Sequence, residues 1–136
     1  KTFANSPVAA VHALAYPIGG TFHISHGLSN SLVLPYVLRF NSVDVKAAKY
    51  YAELAPYVFP SLDINRGTQA VCSEFIEKME NLSKRLGLPQ KLREVNIPKN
   101  ACEKMARDAM KQTRLLVNNP REVTETDALS IYQSAW

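Results

Sequence analysis

Three histidines, the only ones in the chain, lie within fifteen residues of one another: His12, His23 and His26. Imidazole nitrogens are common protein ligands of zinc and iron. The residues around His12 have a helical pattern, a Pro-Gly-Gly stretch follows, and Ser25 is a good N-cap for a second, apolar helix. A helix–loop–helix of this kind can direct two imidazoles to one point. The segment therefore predicts a metal site formed by His12 and His26.

The histidines also have a simpler interpretation, because the fourteen-residue spacing of His12 and His26 matches no local metal-binding motif. A helix-borne histidine is more often a packing or surface residue than a ligand. The position of His26 favours the ligand role, since the positive end of a helix dipole disfavours imidazolium and the neutral ring is the form that binds metal. His23, in the loop, is assigned to the surface or to a pocket lining rather than to the metal.

Nearby aromatic and basic residues have two interpretations each. Tyr16, Phe22 and Phe40 either wall a pocket beside the histidines or belong to the core, and for Phe40 the sequence does not separate the two. Arg121 follows a turn at Asn118 to Pro120. It either meets a phosphate or carboxylate of a ligand or is a solvated side chain, and the solvated interpretation is favoured.

Helical periodicity extends along the chain, and no segment alternates with the two-residue period of a strand. The sequence predicts an all-α bundle of six or seven helices. The predicted helices run from near Lys1 to Tyr16 past Pro7, from Ser25 to about Phe40, from Asp44 to about Ala55, from after Asn65 to Leu86, from Pro98 to about Leu116 and from Thr124 to the end. A further short turn of helix is predicted over Gln90 to Val95.

The predicted boundaries come from breakers and caps. Residues Pro17 to Gly20 should end the first helix, Pro35 should kink the second, and residues 56–65 should form a loop. Gly87 is predicted at the C′ position that follows the long fourth helix, and Thr124 with Asp127 forms a weak capping box. The predicted buried stripe of the fourth helix is Val71, Phe75, Met79, Leu82 and Leu86.

Composition sets the broad class. A chain of 136 residues with 46% hydrophobic and 21% charged residues is typical of one globular domain, with no apolar run long enough for a membrane span and no signal peptide. The net charge of +4 is spread over interleaved acids and bases, as on solvated helix faces, rather than clustered as nucleic-acid binding prefers. Cys72 and Cys102 are expected to be reduced and helix-borne.

One long segment points to a known family. No P-loop, GxGxxG or GxSxG motif occurs in the chain. In contrast, VHALAYPIGGTFHISHGLSNSLVLPYVLRFN resembles the C-terminal signature of the iron-containing (group III) alcohol dehydrogenases. The preceding FANSPVAA and the tail NNPREVTETDALSIYQSAW resemble the family on either side of that signature.

The resemblance implies a two-domain enzyme that interconverts alcohols and aldehydes or ketones. An N-terminal α/β domain would bind NAD or NADP, and a helical domain of the dehydroquinate synthase-like fold would hold Fe²⁺ or Zn²⁺ through one Asp and three His. The last two of those His match His12 and His26, whereas the Asp and the first His have no counterpart here. Tyr16, Phe22 and His23 would lie on the substrate side, and many members have His where Tyr16 stands.

Two hypotheses follow from different classes of protein. The first is the C-terminal metal-binding part of such an enzyme, cytoplasmic and homo-oligomeric, acting on a small alcohol or aldehyde and inactive as this chain alone. Lys1 is not a Met and begins within a helical pattern, which favours a piece of a longer protein. The second is a non-catalytic helical assembly module that keeps the shape of the family. Neither involves nucleic acid or a membrane.

Overall fold

A computed structural model of the chain describes residues 9–136. This part of the chain contains seven α-helices and one 3₁₀-helix and has no strand, so the all-α prediction is confirmed. The helices are α1 (Ala9–Phe22), α2 (His26–Asn41), α3 (Val45–Val58), α4 (Thr68–Arg85), the 3₁₀-helix (Leu92–Val95), α5 (Ala101–Ala109), α6 (Thr113–Leu116) and α7 (Glu125–Ala135).

The predicted end of the first helix is wrong. Helix α1 does not stop at Tyr16 but continues through Pro17 to Phe22, so both glycines of the Pro-Gly-Gly stretch are helical. Pro17 lacks the N–H that would bond the carbonyl four residues earlier, which normally disfavours an interior position. Burial of Pro17 and Ile18 in the core offsets that loss. The predicted start near Lys1, with its interruption at Pro7, lies outside the described residues.

The helix N-caps predicted at Ser25 and Thr124 agree with the structure, and Asp44, predicted only as a helix start, is a further N-cap. The Ser25 and Asp44 side chains accept hydrogen bonds from the backbone N–H of Leu28 and Ala47 at the starts of α2 and α3. Thr124 and Asp127 form the reciprocal capping box of α7. After α4, Gly87 has φ of +76°, the left-handed conformation that glycine adopts without steric cost.

Other boundaries differ from the predicted ones. Pro56 lies inside α3, which extends to Val58, so the loop is shorter than predicted. The helix predicted from Pro98 to Leu116 is two helices, α5 and α6, separated by residues 110–112, and Pro98 precedes α5 in a turn. The stripe predicted for α4 fails at its C-terminal end, where Leu82 and Leu86 are 38% and 66% exposed.

The buried side chains form two clusters, and α2 contributes to both. The larger cluster joins α1 and α2 to α5, α6 and α7, and the smaller one joins the C-terminal half of α2 to α3 and α4. Helix α1 packs most extensively against α2 and also contacts α5 and α6. The two helices that carry the histidines are therefore held against the larger core, and α2 is also held by the smaller one.

Two further sequence predictions can be compared with the structure. Within residues 9–136 no helix is both long enough and apolar enough to cross a bilayer. Cys72 and Cys102 are free and buried, on α4 and α5, as expected. Burial raises the pKa of both thiols, which keeps them protonated and unreactive.

Candidate metal centre

His12 and His26 come together in the structure although they lie on different helices. His12 is in the first half of α1 and His26 is the first residue of α2. Their ring centroids are 5.7 Å apart, and the ring planes are parallel to within 7°. Both side chains are exposed. The two imidazoles therefore converge as predicted, and both rings are open to groups that approach from outside residues 9–136.

The start of α2 positions His26. The Ser25 hydroxyl accepts a hydrogen bond from the Leu28 N–H and fixes the first turn of the helix. One turn later, Asn30 Nδ2 lies 3.3 Å from His26 Nε2 and donates to it. This contact requires the tautomer with the proton on Nδ1, so it holds the ring only in the absence of a ligand at Nε2.

Asn30 is a polar residue of the centre that the sequence analysis did not identify. The amide oxygen of Asn30 is buried and is the one buried side-chain nitrogen or oxygen in the described chain that lacks a hydrogen-bond partner. Its four-residue spacing from His26 in HGLSN was the available signal, because residues i and i+4 share a helix face. An unsatisfied buried acceptor normally costs free energy, so its presence here marks an incomplete polar site.

The two histidines fit half of a metal site. A metal that binds two imidazoles lies about 2.0–2.1 Å from each ligand nitrogen, so the two nitrogens are separated by roughly 4 Å at most. Ring centroids 5.7 Å apart allow that separation, and because a metal lies in the plane of each imidazole that binds it, one of the two stacked rings would rotate on binding. No group of three or more His, Cys, Asp or Glu side chains converges anywhere in residues 9–136. A four-coordinate site would therefore need donors in addition to these two.

The three residues predicted to line a substrate pocket occupy different environments. Tyr16 is one turn after His12 on α1, and its side chain is 63% exposed. His23, in the loop after α1, is also exposed and has φ of +59°, an uncommon conformation outside glycine that histidine tolerates better than most residues. Phe22 is only partly exposed and packs against the larger core cluster. Tyr16, one turn from His12, and His23, in the loop before His26, are thus both open surface.

Arg121 is not the solvated side chain that the sequence favoured. Its guanidinium lies 3.9 Å from the centre of the Phe40 ring and donates a hydrogen bond to the Phe40 carbonyl at 2.8 Å. Phe40 itself packs against the larger core cluster. The Asn118-Asn119-Pro120-Arg121 turn therefore holds the C-terminal end of α2, and the Arg121 side chain is half-buried.

Comparison with known proteins relates this chain to an enzyme family. A protein-family model described as "Fe-containing alcohol dehydrogenase family, C-terminal" matches residues 1–136. Long-chain-alcohol dehydrogenase 1 of Geobacillus thermodenitrificans (strain NG80-2) is 37% identical over 98% of the chain, and lactaldehyde reductase of Escherichia coli (strain K12) is 29% identical over 98%.

The structural comparison agrees with the sequence comparison. A crystal structure of 1,3-propanediol oxidoreductase superimposes with a TM-score of 0.84 at 28% identity over 93% of the chain. An alcohol dehydrogenase from Oenococcus oeni superimposes with a TM-score of 0.81 at 30% identity, again over 93%. In each case the chain spans about a third of the relative: 33% and 34% of the two sequences above and 32% of both structures.

Proposed function

The chain belongs to the Fe-containing alcohol dehydrogenase family, whose C-terminal domain it matches, and on that premise we propose that it is the metal-binding part of an NAD(P)-dependent alcohol dehydrogenase. The complete enzyme would interconvert alcohols and aldehydes or ketones by hydride transfer. The observation that carries the proposal is the convergence of His12 and His26, whose exposed rings lie 5.7 Å apart.

His12 and His26 would hold Fe²⁺ or Zn²⁺ together with donors from another part of the enzyme. The chemistry supplied by the bound metal is Lewis-acid polarisation of the substrate oxygen, and that supplied by the nicotinamide is hydride transfer. The contribution of this chain is to hold two imidazoles in place before the metal binds. A metal at His26 Nε2 would take the lone pair that the Asn30 amide meets in the metal-free protein, so the metal would displace that contact.

Tyr16 and His23 would face the substrate. The Tyr16 side chain lies one turn from His12 and is 63% exposed, so its hydroxyl can donate a hydrogen bond to a substrate oxygen near the metal. His23 is held in a left-handed backbone conformation beside α2, and such strained residues cluster at functional sites. Phe22 would contribute to the substrate pocket only the part of its ring that the larger core cluster leaves exposed.

The small alcohol or aldehyde substrate, the choice between NAD and NADP and the choice between iron and zinc belong to the complete enzyme. The proposed NAD(P) site lies mainly in the part of the enzyme that precedes this domain in the relatives. A cytoplasmic location and a homo-oligomeric state stay predictions from the family resemblance.

Metal content of the intact polypeptide that contains this chain tests the proposal. We expect His12→Ala and His26→Ala each to lower the bound metal per subunit at least tenfold after dialysis, because each removes one donor. His23→Ala is the matched control, since it removes an exposed imidazole from the loop between α1 and α2, and it should leave metal content unchanged. The measurement is elemental analysis of the dialysed proteins.

The result for the double variant decides between the two hypotheses. If His12→Ala combined with His26→Ala retains stoichiometric metal, the ligand assignment is wrong and the non-catalytic assembly module becomes the better interpretation. Loss of metal in the His23→Ala protein together with the other two would instead mean that all three histidines bind.

A further inference from the structure

Two buried asparagines, Asn41 and Asn119, form a reciprocal amide pair far from each other in sequence. Asn119 Nδ2 donates to Asn41 Oδ1 at 2.7 Å, and Asn41 Nδ2 donates to Asn119 Oδ1 at 3.1 Å. The side chains are 0% and 5% exposed. Asn119 Nδ2 also donates to the Arg121 carbonyl at 2.8 Å, and Asn41 Nδ2 lies 3.1 Å from the Tyr51 hydroxyl. Both amides are thus fully engaged.

The pair connects the two helices that carry the histidines. Asn119 Oδ1 accepts a second hydrogen bond, at 3.2 Å, from the backbone N–H of Ala10, two residues before His12. Asn41 is the last residue of α2, whose first residue is His26. A single side chain in the segment between α6 and α7 is therefore bonded to the first turn of α1 and to the end of α2.

Arg121 strengthens the same connection. Its guanidinium covers the Phe40 ring and donates to the Phe40 carbonyl, which is next to Asn41 at the end of α2. A cation at this end of a helix interacts favourably with the helix dipole and satisfies a carbonyl that has no partner within the helix. Burial raises the pKa of Tyr51 to about 12, so the phenol that meets Asn41 stays protonated.

Buried amide networks specify one arrangement more strictly than apolar contacts do, because any shift leaves a donor or acceptor unsatisfied. Metal ligands in turn tolerate displacement of only about 0.5 Å. We propose that Asn119, assisted by Arg121, is a positioning residue of the metal centre: it sets the relative placement of α1 and α2 and so the separation of His12 and His26. The inference rests on the function proposed above.

The test is the metal dissociation constant of the intact polypeptide, measured with Co²⁺ by absorption in competition with a chelator. We expect Asn119→Ala to weaken Co²⁺ binding roughly tenfold or more, comparable to loss of an outer-shell partner. Arg121→Ala alters a half-buried side chain and keeps the amide pair, so it should fold readily and weaken binding in the same direction by a smaller factor. Circular dichroism establishes that each variant is folded at the temperature of the titration.

Two controls separate positioning from general stability. Asn118→Ala removes a neighbouring asparagine whose side chain bonds only to the Arg114 carbonyl, and it should leave the constant unchanged. Ile76→Ala opens a cavity in the smaller core cluster, which contains no residue of α1 and neither member of the amide pair, and lowers the melting temperature. It should also leave the constant unchanged, even where its loss of stability equals that of Asn119→Ala.

Each contrary outcome has a distinct meaning. Wild-type affinity in folded Asn119→Ala and Arg121→Ala proteins would overturn the inference alone. Equal weakening by Ile76→Ala at matched stability would overturn it as well, because the effect would then be unspecific. Failure of the wild-type polypeptide to bind Co²⁺ at all would overturn the proposed function and this inference with it.

Discussion

Asn30 and Asn41 are both asparagines of α2, yet their amides are used in opposite ways. The Asn41 amide is fully buried and bonded to Asn119 and Tyr51. The Asn30 amide donates to His26, and its buried oxygen has no partner among the described residues. A buried acceptor without a partner costs about 1–3 kcal/mol. Asn41 therefore serves the fold, and Asn30 leaves capacity for a ligand or a further donor at the metal centre.

This contrast gives a prediction for the same change, asparagine to leucine, at the two positions. Asn30→Leu removes an unsatisfied buried acceptor together with one exposed contact to His26, so we expect the free energy of unfolding of the metal-free polypeptide to stay unchanged or to rise by up to about 1 kcal/mol. Asn41→Leu leaves the Asn119 amide without its partner in the interior, and we expect a loss of about 2 kcal/mol or more. Urea unfolding of both variants, with metal removed, measures the two values. A loss of similar size in both would contradict the functional interpretation of Asn30.

The sequence identified the residue types of the site but not their hydrogen-bond partners. His12 and His26 were recognisable because they are two of only three histidines and lie on either side of a Pro-Gly-Gly stretch. Asn119 was assigned to a turn and its bonds to Ala10 and Asn41 were not foreseen, since they span 109 and 78 residues of sequence. Contacts of that range depend on the packing of whole helices, which local patterns do not encode.

Helix α1 shows how packing overrides a local breaker. Pro17 and two glycines predict a helix end, but the helix continues to Phe22. The Tyr132 hydroxyl, from α7, donates a hydrogen bond to the Leu14 carbonyl at 2.6 Å. Leu14 lies three residues before Pro17. Burial raises the pKa of Tyr132 well above its ordinary value, so the phenol remains a donor. Contacts made by the buried face of α1 thus support a continuous helix where the sequence alone favours a loop.

The two glycines of α1 differ in what an added methyl group would meet, which gives a prediction at the scale of the helix. A Cβ at Gly19 would lie 3.2 Å from the Ile24 carbonyl oxygen and 3.7 Å from Ser29 Oγ, whereas one at Gly20 would have no atom within 4 Å. Replacing a helical glycine by alanine normally raises the free energy of unfolding by about 0.5–1 kcal/mol. We expect Gly20→Ala to raise the melting temperature and Gly19→Ala to raise it less or to lower it.

The Gly19 substitution should also affect the metal centre, because the crowded carbonyl belongs to the loop that leads into His26. Gly20→Ala is the matched control, and its metal content should equal that of the wild-type polypeptide. Thermal unfolding followed by circular dichroism supplies the stability values, and elemental analysis supplies the metal content. A larger stability gain for Gly19→Ala than for Gly20→Ala would mean that α1 and the following loop are not in close contact.

The errors in the other helices have a similar origin. Leu82 and Leu86 continue the apolar period of α4, yet they are exposed, and the buried positions nearer the start of the helix include Cys72 and Ile76. Periodicity predicts that a helix has an apolar face but not how far along its length a neighbour covers that face. The caps at Ser25 and Thr124 were predicted correctly because each acts on a backbone N–H only three residues away.

At the scale of the molecule, one helix links two cores. Leu32, Val33 and Val37 of α2 belong to the larger cluster, and Leu38 belongs to the smaller one. The histidine pair is attached to the larger cluster, while the helices α3 and α4 complete the smaller one. Substitutions in the smaller cluster are therefore expected to affect stability more than the geometry of the site, which is the basis for using Ile76→Ala as a control above.

The share of the relatives that the chain spans gives the last prediction. The chain corresponds to about a third of each alcohol dehydrogenase that it matches, and residues 9–136 bring two imidazoles together without a third His, Cys, Asp or Glu. A catalytic zinc site uses three protein ligands, so two imidazoles leave it short of donors. We expect the purified 136-residue chain to show no oxidation of simple primary alcohols with either NAD or NADP, with added Fe²⁺ or Zn²⁺.

The measurement is nicotinamide reduction followed by absorbance, with the His12→Ala chain as the background. Circular dichroism of the same sample must show the helical structure, so that inactivity is not the result of unfolding. Turnover above the His12→Ala background would mean that this chain by itself completes both the metal site and the dinucleotide site. The division of the reaction between this domain and the rest of the enzyme would then be wrong, although the role of His12 would be supported.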